Sequence, residues 1–491
     1  MKAVKTIFVV IFACLPLLFF GQTNMSFYPV EKQFNSSKYN PAFLSTDGQF
    51  AFSFFPLAGT NIGYNNRDEI NNLVNKLLSG VNNDDDYIDL AKSMVGSPTF
   101  YQRLENELLT FTYRSKKGFF NFGIRENVSV SASLKGPVSE FMILPEVRSA
   151  VIGEVQRIPA LILHFREYSV AYAIPQRENK FTAGIRAKLY FGKGVFSSDI
   201  SGAIQKQADT CFLKTWGKGS MSMPEKEVVN NNGTTTSVPS LSGTSLKSYL
   251  MNNGNPGFGI DLGIKYNITP KLSFSASIID LGKISWKTNL NSKNFDGTYS
   301  FKPSSINVTV SNGKEIISKM ADSISFTNNF SNVFKLTYIK SEFSTRLPLT
   351  VYAGLSYQVN PKFFLHLVNR NVFLKEFNQH NIMATASFEP RKNITINTGI
   401  FSVGNNFSNF PFALLLNYDF GQIYVGTDNF LSFVAPSSTE FSGLTFGTCF
   451  YLFKKRDLYR LPTEEFPHYK HKRLRKIQEN GRILKEYPEY D

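Results

Sequence analysis

The chain has 491 residues, of which 42% are hydrophobic and 19% charged, with a formal net charge of +15. This composition excludes a disordered protein, because there is ample apolar surface to bury. No apolar stretch reaches the roughly 20 residues that a transmembrane helix needs, which excludes a helical inner-membrane protein. Three cysteines are too few for a disulfide scaffold or a cysteine-rich metal module.

The first segment has the residue order of a secretory signal peptide. Lys2 and Lys5 precede an apolar run over residues 7–20, and a small glycine follows. We therefore expect residues 1–21 to be removed and the mature chain to begin at Gln22. In an exported protein, the basic charge favours membrane surfaces or anionic partners, and we expect no nucleic-acid partner.

Most of the mature chain alternates between apolar and polar residues, which indicates β-strands. Leu109, Phe111 and Tyr113 share one face of such a strand, and the positions between them are polar. The polar faces carry mostly Ser, Thr, Asn, Gly and a few Arg, rather than the Lys and Glu of a water-facing sheet. This pattern predicts an all-β membrane protein, an antiparallel outer-membrane barrel of about 14 strands over residues 48–453. A large soluble β-sandwich is the alternative.

Three segments show helical spacing instead. Apolar residues over 70–78 recur at i, i+3, i+4 and i+7. Ser97 and Pro98 suit the start of a second helix through Leu108, and a third is indicated over residues 137–151. A barrel wall has no place for helices, so we expect them over a mouth, in the lumen or along the membrane interface. These helices either form a lid or simply pack a long loop, and the sequence leaves both alternatives open.

Two long stretches predict extracellular loops. Residues 205–256 are irregular and polar, with a low-complexity run of Asn, Gly and Thr. Residues 289–345 mix short strands with a possible helix over 314–321. The short connectors between other strands predict periplasmic turns.

A motif just before the first strand resembles a known element. Asn40, Pro41 and Ala42 are similar to the Asn-Pro-Ala element of the FadL and PorV superfamily of barrels. With the other matching segments, the chain resembles an uncharacterised family of Bacteroidota outer-membrane barrels, a domain of unknown function covering nearly the whole mature chain. Those other segments are residues 107–134 followed by Pro137, residues 276–286 and a closing strand over 450–453.

The resemblance implies a FadL-like barrel of about 14 strands. It also implies that the segment holding Asn40, residues 22–47, sits in the lumen as an N-terminal plug. Relatives include importers of hydrophobic molecules and PorV-like or PorP-like accessories of type IX secretion and gliding. This chain departs from the importers by its basic C-terminal extension.

The residues suggest a binding surface more readily than a catalytic centre. The sequence has no HExxH, GxSxG, Walker A or GxGxxG pattern, and we expect no enzyme, no cofactor and no metal. Five basic residues lie on polar strand faces and hence in the predicted lumen, where guanidinium groups suit a carboxylate or phosphate head group. Alternatively, they pair with lumen acids such as Glu105, Glu107 or Glu167, or with the plug. The five are Arg114, Arg125, Arg166, Arg186 and Lys188.

The last segment, residues 454–491, is a basic tail. Barrels with an even strand number place both termini in the periplasm, so the tail is predicted to reach the cell wall or a periplasmic or secretion-system protein. Apolar residues beside its basic cluster suit a short helix that orders on binding, and a disordered solubilising tail is the alternative. The predicted contact residues are Lys472, Arg473, Arg475 and Lys476.

Two functions are therefore open. In the first, a hydrophobic or amphiphilic molecule with an anionic head crosses the outer membrane, meeting the lumen cations and passing the plug at Asn40. In the second, the barrel is a non-transporting scaffold, an accessory of type IX secretion or gliding machinery or of cell-wall attachment through its tail. Outer-membrane lipids and lipopolysaccharide surround the barrel in both. A continuous lumen path favours the first function, and a plugged lumen with a structured tail favours the second.

Overall fold

The computed structural model describes most of the chain. The predicted signal peptide and the helices predicted over 70–78 and 137–151 lie outside the described residues. The described residues are 25–43, 50–65, 99–115, 118–133, 155–175, 180–207, 210–229, 235–239, 243–301, 307–311, 314–318, 335–375, 377–403, 406–434, 441–452, 473–479 and 482–489.

The described elements are nearly all strands. The helical elements are two 3₁₀ turns, Met25–Phe27 and Ser36–Lys38, and two short helices, α1 (Gly243–Leu250) and α2 (Leu431–Val434). The strands are β1 (Phe50–Phe54), β2 (Thr60–Asn65), β3 (Thr99–Arg114), β4 (Phe119–Ser133), β5 (Val155–Pro175), β6 (Phe181–Gln207), β7 (Thr210–Ser222), β8 (Glu225–Val229), β9 (Thr235–Pro239), β10 (Pro256–Asn267), β11 (Leu272–Trp286), β12 (Ser292–Phe301), β13 (Asn307–Ser311), β14 (Lys314–Ser318), β15 (Lys335–Ile339), β16 (Phe343–Arg346), β17 (Leu349–Asn360), β18 (Phe363–Phe373), β19 (Asn378–Arg391), β20 (Ile394–Val403), β21 (Asn406–Asn409), β22 (Phe412–Tyr418), β23 (Gly421–Thr427), β24 (Phe441–Leu452), β25 (Arg473–Glu479) and β26 (Arg482–Glu489).

The wall is a closed antiparallel barrel of 14 strands. Three wall positions are each shared by two consecutive segments, namely β1 with β2, β16 with β17, and β21 with β22. The barrel closes where β24 pairs with the first wall position, placing Leu452 opposite Phe50 and Phe446 opposite Thr60. The predicted fold and strand number are confirmed.

The wall has an apolar outside and a polar inside. Along β4, Phe120 is 44% exposed, whereas its neighbour Asn121 is 3% exposed. Closure pairs the backbone groups that hydrocarbon would leave unsatisfied, and the apolar exterior suits contact with lipid tails. The protein is thus an outer-membrane barrel. Within the described ranges, no helix is long and apolar enough to cross a membrane.

One side of the wall continues beyond the membrane as a sheet. The first part of β6 pairs with β10, but its second part, from Val195 to Gln207, pairs with β7. Strand β7 then pairs with β12, and β12 with β15. The prediction that residues 205–256 form an irregular loop is therefore wrong for β7 to β9 and α1. Strands that project beyond the bilayer need no lipid-facing apolar side, so their sequences lack the alternation used for the wall.

Two predicted helices inside the chain are wrong. The residues from Thr99 through Leu108 were expected to be helical but belong to strand β3, in which a bulge between Glu107 and Leu109 breaks the two-residue alternation. Leu104 and Leu108 are four residues apart, a spacing that suits one face of a helix and equally one face of a strand. Residues 314–318 form β14, which pairs with β13 as a hairpin.

The tail also differs from its prediction. Strands β25 and β26 pair as an antiparallel hairpin, with Arg473 opposite Glu489. The expected short helix is wrong for residues 473–479. Basic and apolar residues in this segment fit either period, so the sequence did not separate the two structures.

Candidate functional site

The described N-terminal segment, residues 25–43, lies inside the barrel, and we call it the plug. Its backbone folds through two 3₁₀ turns and is almost wholly buried. Its first residues reach the end of β23, where the amides of Met25 and Ser26 donate to the Asp428 carboxylate at 3.1 and 2.8 Å. At the other end of the barrel, Lys32 forms a 3.0 Å ion pair with Glu389, close to the β19–β20 turn.

The Asn-Pro-Ala motif holds the plug against the wall. The Asn40 amide nitrogen donates to the carbonyls of Ile264 and Ala276 at 3.1 and 3.2 Å. Its side-chain oxygen accepts the amide of Ala42 at 2.9 Å. A Cβ at Gly263 would collide with Asn40, and a Cβ at Gly184 would collide with Pro41. Two wall glycines therefore allow the plug backbone to approach closely.

One side of the lumen packs the plug with apolar side chains. Phe27 meets Tyr424 edge to face at 5.5 Å, and Tyr28 stacks on Tyr352 at 4.9 Å. The same buried cluster includes residues of β17 to β20, β22 and β23. We call this side the apolar wall. Its members on these strands are Tyr352, Val368, Met383, Phe401, Ala413, Leu415 and Tyr424, and Ile279 of β11 joins the same cluster.

The opposite side of the lumen is a belt of buried charges on β3 to β6, β10 and β11, to which the plug adds one lysine. We call it the charged belt. Five cations and five carboxylates take part, so their formal charges cancel. They are Lys38, Arg103, Arg125, Arg186 and Lys188 with Glu105, Glu107, Glu167, Asp261 and Asp280.

Lys188 is the most connected cation of the belt. Its ammonium lies 2.5 Å from Asp280, 2.8 Å from Asp261 and 3.7 Å from Glu167. Asp280 also accepts from Arg103 at 3.0 Å, and its own amide donates to Asp261 at 2.8 Å. Asp280 has a positive φ of 64°, a conformation that Asp tolerates better than most residues. The turn of the backbone there directs two carboxylates at one ammonium.

The belt also contacts the plug. Arg125 lies 3.1 Å from Glu107 and 3.5 Å from Glu167, while Arg186 donates to the Ser37 hydroxyl of the plug at 2.9 Å. Lys38 of the plug lies 3.7 Å from Glu105. Burial lowers the pKa of Lys38, and the charge of Glu105 acts in the opposite direction.

Three of the five predicted lumen cations are thus brought together, namely Arg125, Arg186 and Lys188. Arg114 is the last residue of β3 and lies at the turn end of the wall, half-buried and apart from the belt. The lumen placement of Arg166 is wrong. Its neighbour Glu167 faces inward, and Arg166 pairs with Glu126 at 2.7 Å on the other face.

The error at Arg166 has a physical reason. Further along the same outward face, Val170 and Ile174 are more than half exposed, as lipid contact requires. Arg166 and His164 lie on the part of β5 beyond the apolar band. On that part of the strand the outward face also carries polar residues. His164 bonds Glu126 at 2.9 Å and Tyr249 of α1 at 2.6 Å. Polarity alone therefore did not identify the lumen side.

Sequence reasoning missed several members of the belt. Arg103 was hidden in the segment predicted to be helical, and Lys38, Asp261 and Asp280 were not singled out. One signal was available in the sequence, namely a charged residue among glycine and apolar residues of the same strand. Asp261, between Gly259 and Gly263, is an example. Such a charge needs a buried partner.

The charged belt leaves little room for a ligand in this conformation. The gap between plug and wall beside Ser37, Glu107 and Arg125 has no volume for a water molecule. Among the described residues, no group of His, Cys, Asp and Glu is arranged to hold a metal ion. Binding of an anionic head group by Arg125, Arg186 and Lys188 stays a prediction, and it requires the plug to move.

The regular strand conformation of the wall is interrupted beside the plug. Residues 55–59 form a turn between β1 and β2, and the exposed side chains Phe55 and Leu57 lie on it. The turn stays hydrogen-bonded to both neighbouring strands, since the Phe55 amide donates to the Leu108 carbonyl at 2.9 Å and the Thr448 amide donates to the Leu57 carbonyl at 2.7 Å. On the inside, the Ala58 carbonyl accepts from the plug residue Asn35 at 3.3 Å and from Tyr424 at 3.2 Å. We call residues 55–59 the wall interruption. Here a single stretch of backbone separates lipid from plug.

Of the predicted tail contacts, Lys472 lies outside the described residues. Arg473, Arg475 and Lys476 lie on β25. Their role in partner binding stays a prediction.

Comparisons with known proteins give a family and distant structural likenesses. Residues 41–428 match a family of unknown function (DUF5723). No curated protein matches the chain. The structure is similar to the toluene transporter TbuX of Ralstonia pickettii, with a TM-score of 0.37, 10% identity and coverage of 84% of this chain and 92% of that one. It is similar to the toluene transporter TodX of P. putida, with a TM-score of 0.37, 9% identity and coverage of 85% and 93%. It is also similar to the translocator domain of autotransporter NalP from Neisseria meningitidis, with a TM-score of 0.29, 6% identity and coverage of 88% of this chain and 99% of that one.

Proposed function

We propose a transport function for this chain, which belongs to the family of unknown function DUF5723. In this proposal the barrel carries a hydrophobic molecule across the outer membrane, and the plug is its gate. The proposal does not include recognition of an anionic head group in the closed state, because the formal charges of the belt cancel.

The wall interruption carries the proposal. Irregular backbone at membrane depth is tolerated where protein or a cavity covers it, and here the plug provides that cover. The side chains of Phe55 and Leu57 offer an apolar surface to lipid, while Asn35 and Tyr424 hold the Ala58 carbonyl from within. In this proposal, withdrawal of the plug removes that cover, and the turn then parts from Leu108 or Thr448 to open a path for an apolar molecule between the lipid and the lumen.

A native thiol reports the position of the plug. Cys449 is buried on the inner face of β24, in a cluster with Phe34 of the plug, Ala51 and Tyr451. In a Cys211→Ser background the mature chain retains this one cysteine. Withdrawal of the plug exposes the thiol, so its rate of reaction with a maleimide measures opening.

The decisive experiment locks the plug in place. Lys32 and Glu389 are an ion pair between plug and wall, so Lys32→Cys with Glu389→Cys, in the Cys211→Ser background, accepts a short bismaleimide. We expect cells with the cross-linked protein to take up radiolabelled oleate or toluene no faster than cells without the protein. The same variant before cross-linking, and each single cysteine variant after treatment, are the matched controls and should retain uptake. Equal uptake with and without the cross-link would overturn the proposal.

A second function, the scaffold, is favoured by a different observation. The plug is packed like a protein core on one side and faces the charge-balanced belt on the other, and the tail forms a hairpin. In this reading the barrel anchors a tail that docks periplasmic or secretion-system proteins or the cell wall. Truncation after residue 453 then removes co-purifying proteins while leaving the barrel folded, and cross-linking of the plug changes nothing. Retention of the same proteins by the truncated chain would exclude this function.

A further inference from the structure

A group of exposed aromatic and aliphatic side chains extends the wall at the end opposite the short turns. It comprises residues of β21, of the connection between β21 and β22, and of the segment that follows β23 through α2, with side chains between 38% and 69% exposed. We call it the aromatic rim. Its members are Phe407, Phe410, Phe430, Leu431, Phe433 and Val434.

The rim lies on the lipid side of the wall. Phe412 belongs to the outward face of β22, since its neighbour Ala413 points inward to the plug. The ring of Phe430 contacts Phe412 at 6.1 Å between centroids. The rim therefore continues the lipid-facing surface of the wall, rather than covering the mouth of the barrel.

The rim is held in one conformation by a buried asparagine. The Asn429 side-chain oxygen accepts the amides of Phe410 and Leu431 at 3.3 and 3.2 Å, and its amide nitrogen donates to Asn409 at 3.0 Å. The amide of Phe430 donates to the Phe410 carbonyl at 2.7 Å. An apolar surface displayed on such a rigid base differs from a loose loop that could fold its side chains away.

Strand length indicates what the rim contacts. The β22–β23 ladder ends at Phe412 and Thr427, and each strand has seven residues. At about 3.3 Å per residue and a tilt of about 40°, seven residues span roughly 18 Å of membrane thickness. The apolar band of such barrels is about 25 Å tall. The ladder is thus short by roughly 7 Å, and the rim supplies apolar surface over that distance.

We propose that the aromatic rim inserts into the outer leaflet and is covered by lipid acyl chains. The argument is continuity: the surface joins the lipid-facing wall through Phe412, and the wall is too short without it. Across the barrel, β5 and β6 have 21 and 27 residues and project well beyond the bilayer. The barrel therefore sits with one low, lipid-covered edge and one high, water-exposed edge.

The test measures the depth of one rim residue. Phe433→Cys in the Cys211→Ser background is labelled with an environment-sensitive fluorophore and reconstituted into phosphatidylcholine vesicles. The control is Lys375→Cys in the same background, because Lys375 is exposed at the same end of the barrel and pairs with Asp199 on the projecting part of β6. Gel mobility with and without heating verifies that both labelled barrels are folded.

We expect lipids brominated near the head-group end of their chains to remove about half of the emission at position 433 and little at position 375. Aqueous iodide should give the reverse. Equal quenching of both positions by iodide would overturn the proposal, since the rim would then face water. Protection of position 433 from both quenchers would also overturn it, because a protein surface, such as a second copy of the chain, would then cover the rim.

Discussion

The two sides of the lumen hold the same plug by different physical means. The apolar wall buries Phe27 and Tyr28 as a protein core would, and removal of such area from water stabilises the closed state directly. The charged belt sets Lys188 and Arg125 among carboxylates, where the Coulomb attraction is largely offset by the cost of desolvation. The comparison teaches that packing supplies the stability of the plug. The belt instead fixes the position of the plug, because a shifted plug would leave buried charges without partners.

The largest loss of stability is expected from a substitution in the charged belt. Lys188→Met leaves Glu167, Asp261 and Asp280 without their shared ammonium, and breaking a buried ion pair costs about 5 kcal/mol at the upper end. Heating before gel electrophoresis should unfold this variant at a clearly lower temperature than the native barrel. Lys188→Met combined with Asp261→Asn removes one charge of each sign and should recover part of the loss. No recovery in the double variant would contradict a charge-balanced belt.

A somewhat smaller effect is expected from the apolar wall. Phe27→Ala deletes a fully buried ring, which costs about 3 to 4 kcal/mol in a packed core. Because the ring belongs to the plug, the maleimide reaction of Cys449 should accelerate strongly while the wall stays folded. Phe120→Ala, a ring on the lipid side, is the matched control and should leave the reaction rate unchanged. Equal rates in the two variants would mean that the apolar wall does not hold the plug.

Asp428 tests the attachment of the first plug residues. Asp428→Asn keeps the size of the side chain but weakens two charge-assisted hydrogen bonds from the amides of Met25 and Ser26, at a cost of about 1.5 to 3 kcal/mol. Protease cleavage near Met25 should become faster, with little change at Cys449. Faster reaction of both sites would show that the plug moves as one unit.

The smallest loss of stability is expected at the partly exposed ion pair between the plug and the wall. Lys32→Ala removes a partly exposed ion pair with Glu389, worth about 0.5 kcal/mol. Cys449 reactivity should change by no more than about twofold. A large increase would indicate that this contact, rather than the lumen interior, latches the plug.

Sequence periodicity predicted the wall well because one physical requirement repeats on every membrane strand. An apolar residue must face lipid at every second position, as Phe120 and Val170 do. That rule failed where the requirement lapses, at the bulge after Glu107 and on the projecting strands. The same lapse misplaced Arg166, which faces outward above the apolar band.

The charged belt was harder to predict, because it depends on register between strands distant in sequence. Asp280 meets Lys188 across 92 residues, and Lys38 of the plug meets Glu105 of β3. Strand parity identified Arg125, Arg186 and Lys188 as lumen residues. It did not show that Asp261 and Asp280 neutralise them, since no local pattern couples these positions.

The contact between Met25 and Asp428 also constrains how the molecule is assembled. The two residues are 403 positions apart, so the N-terminal segment is enclosed by strands that come last in the sequence. Contacts of such long range are slow to form. We therefore expect the N-terminal segment to be in place before the seam between β24 and β1 seals, so that the interior is occupied before the cylinder closes.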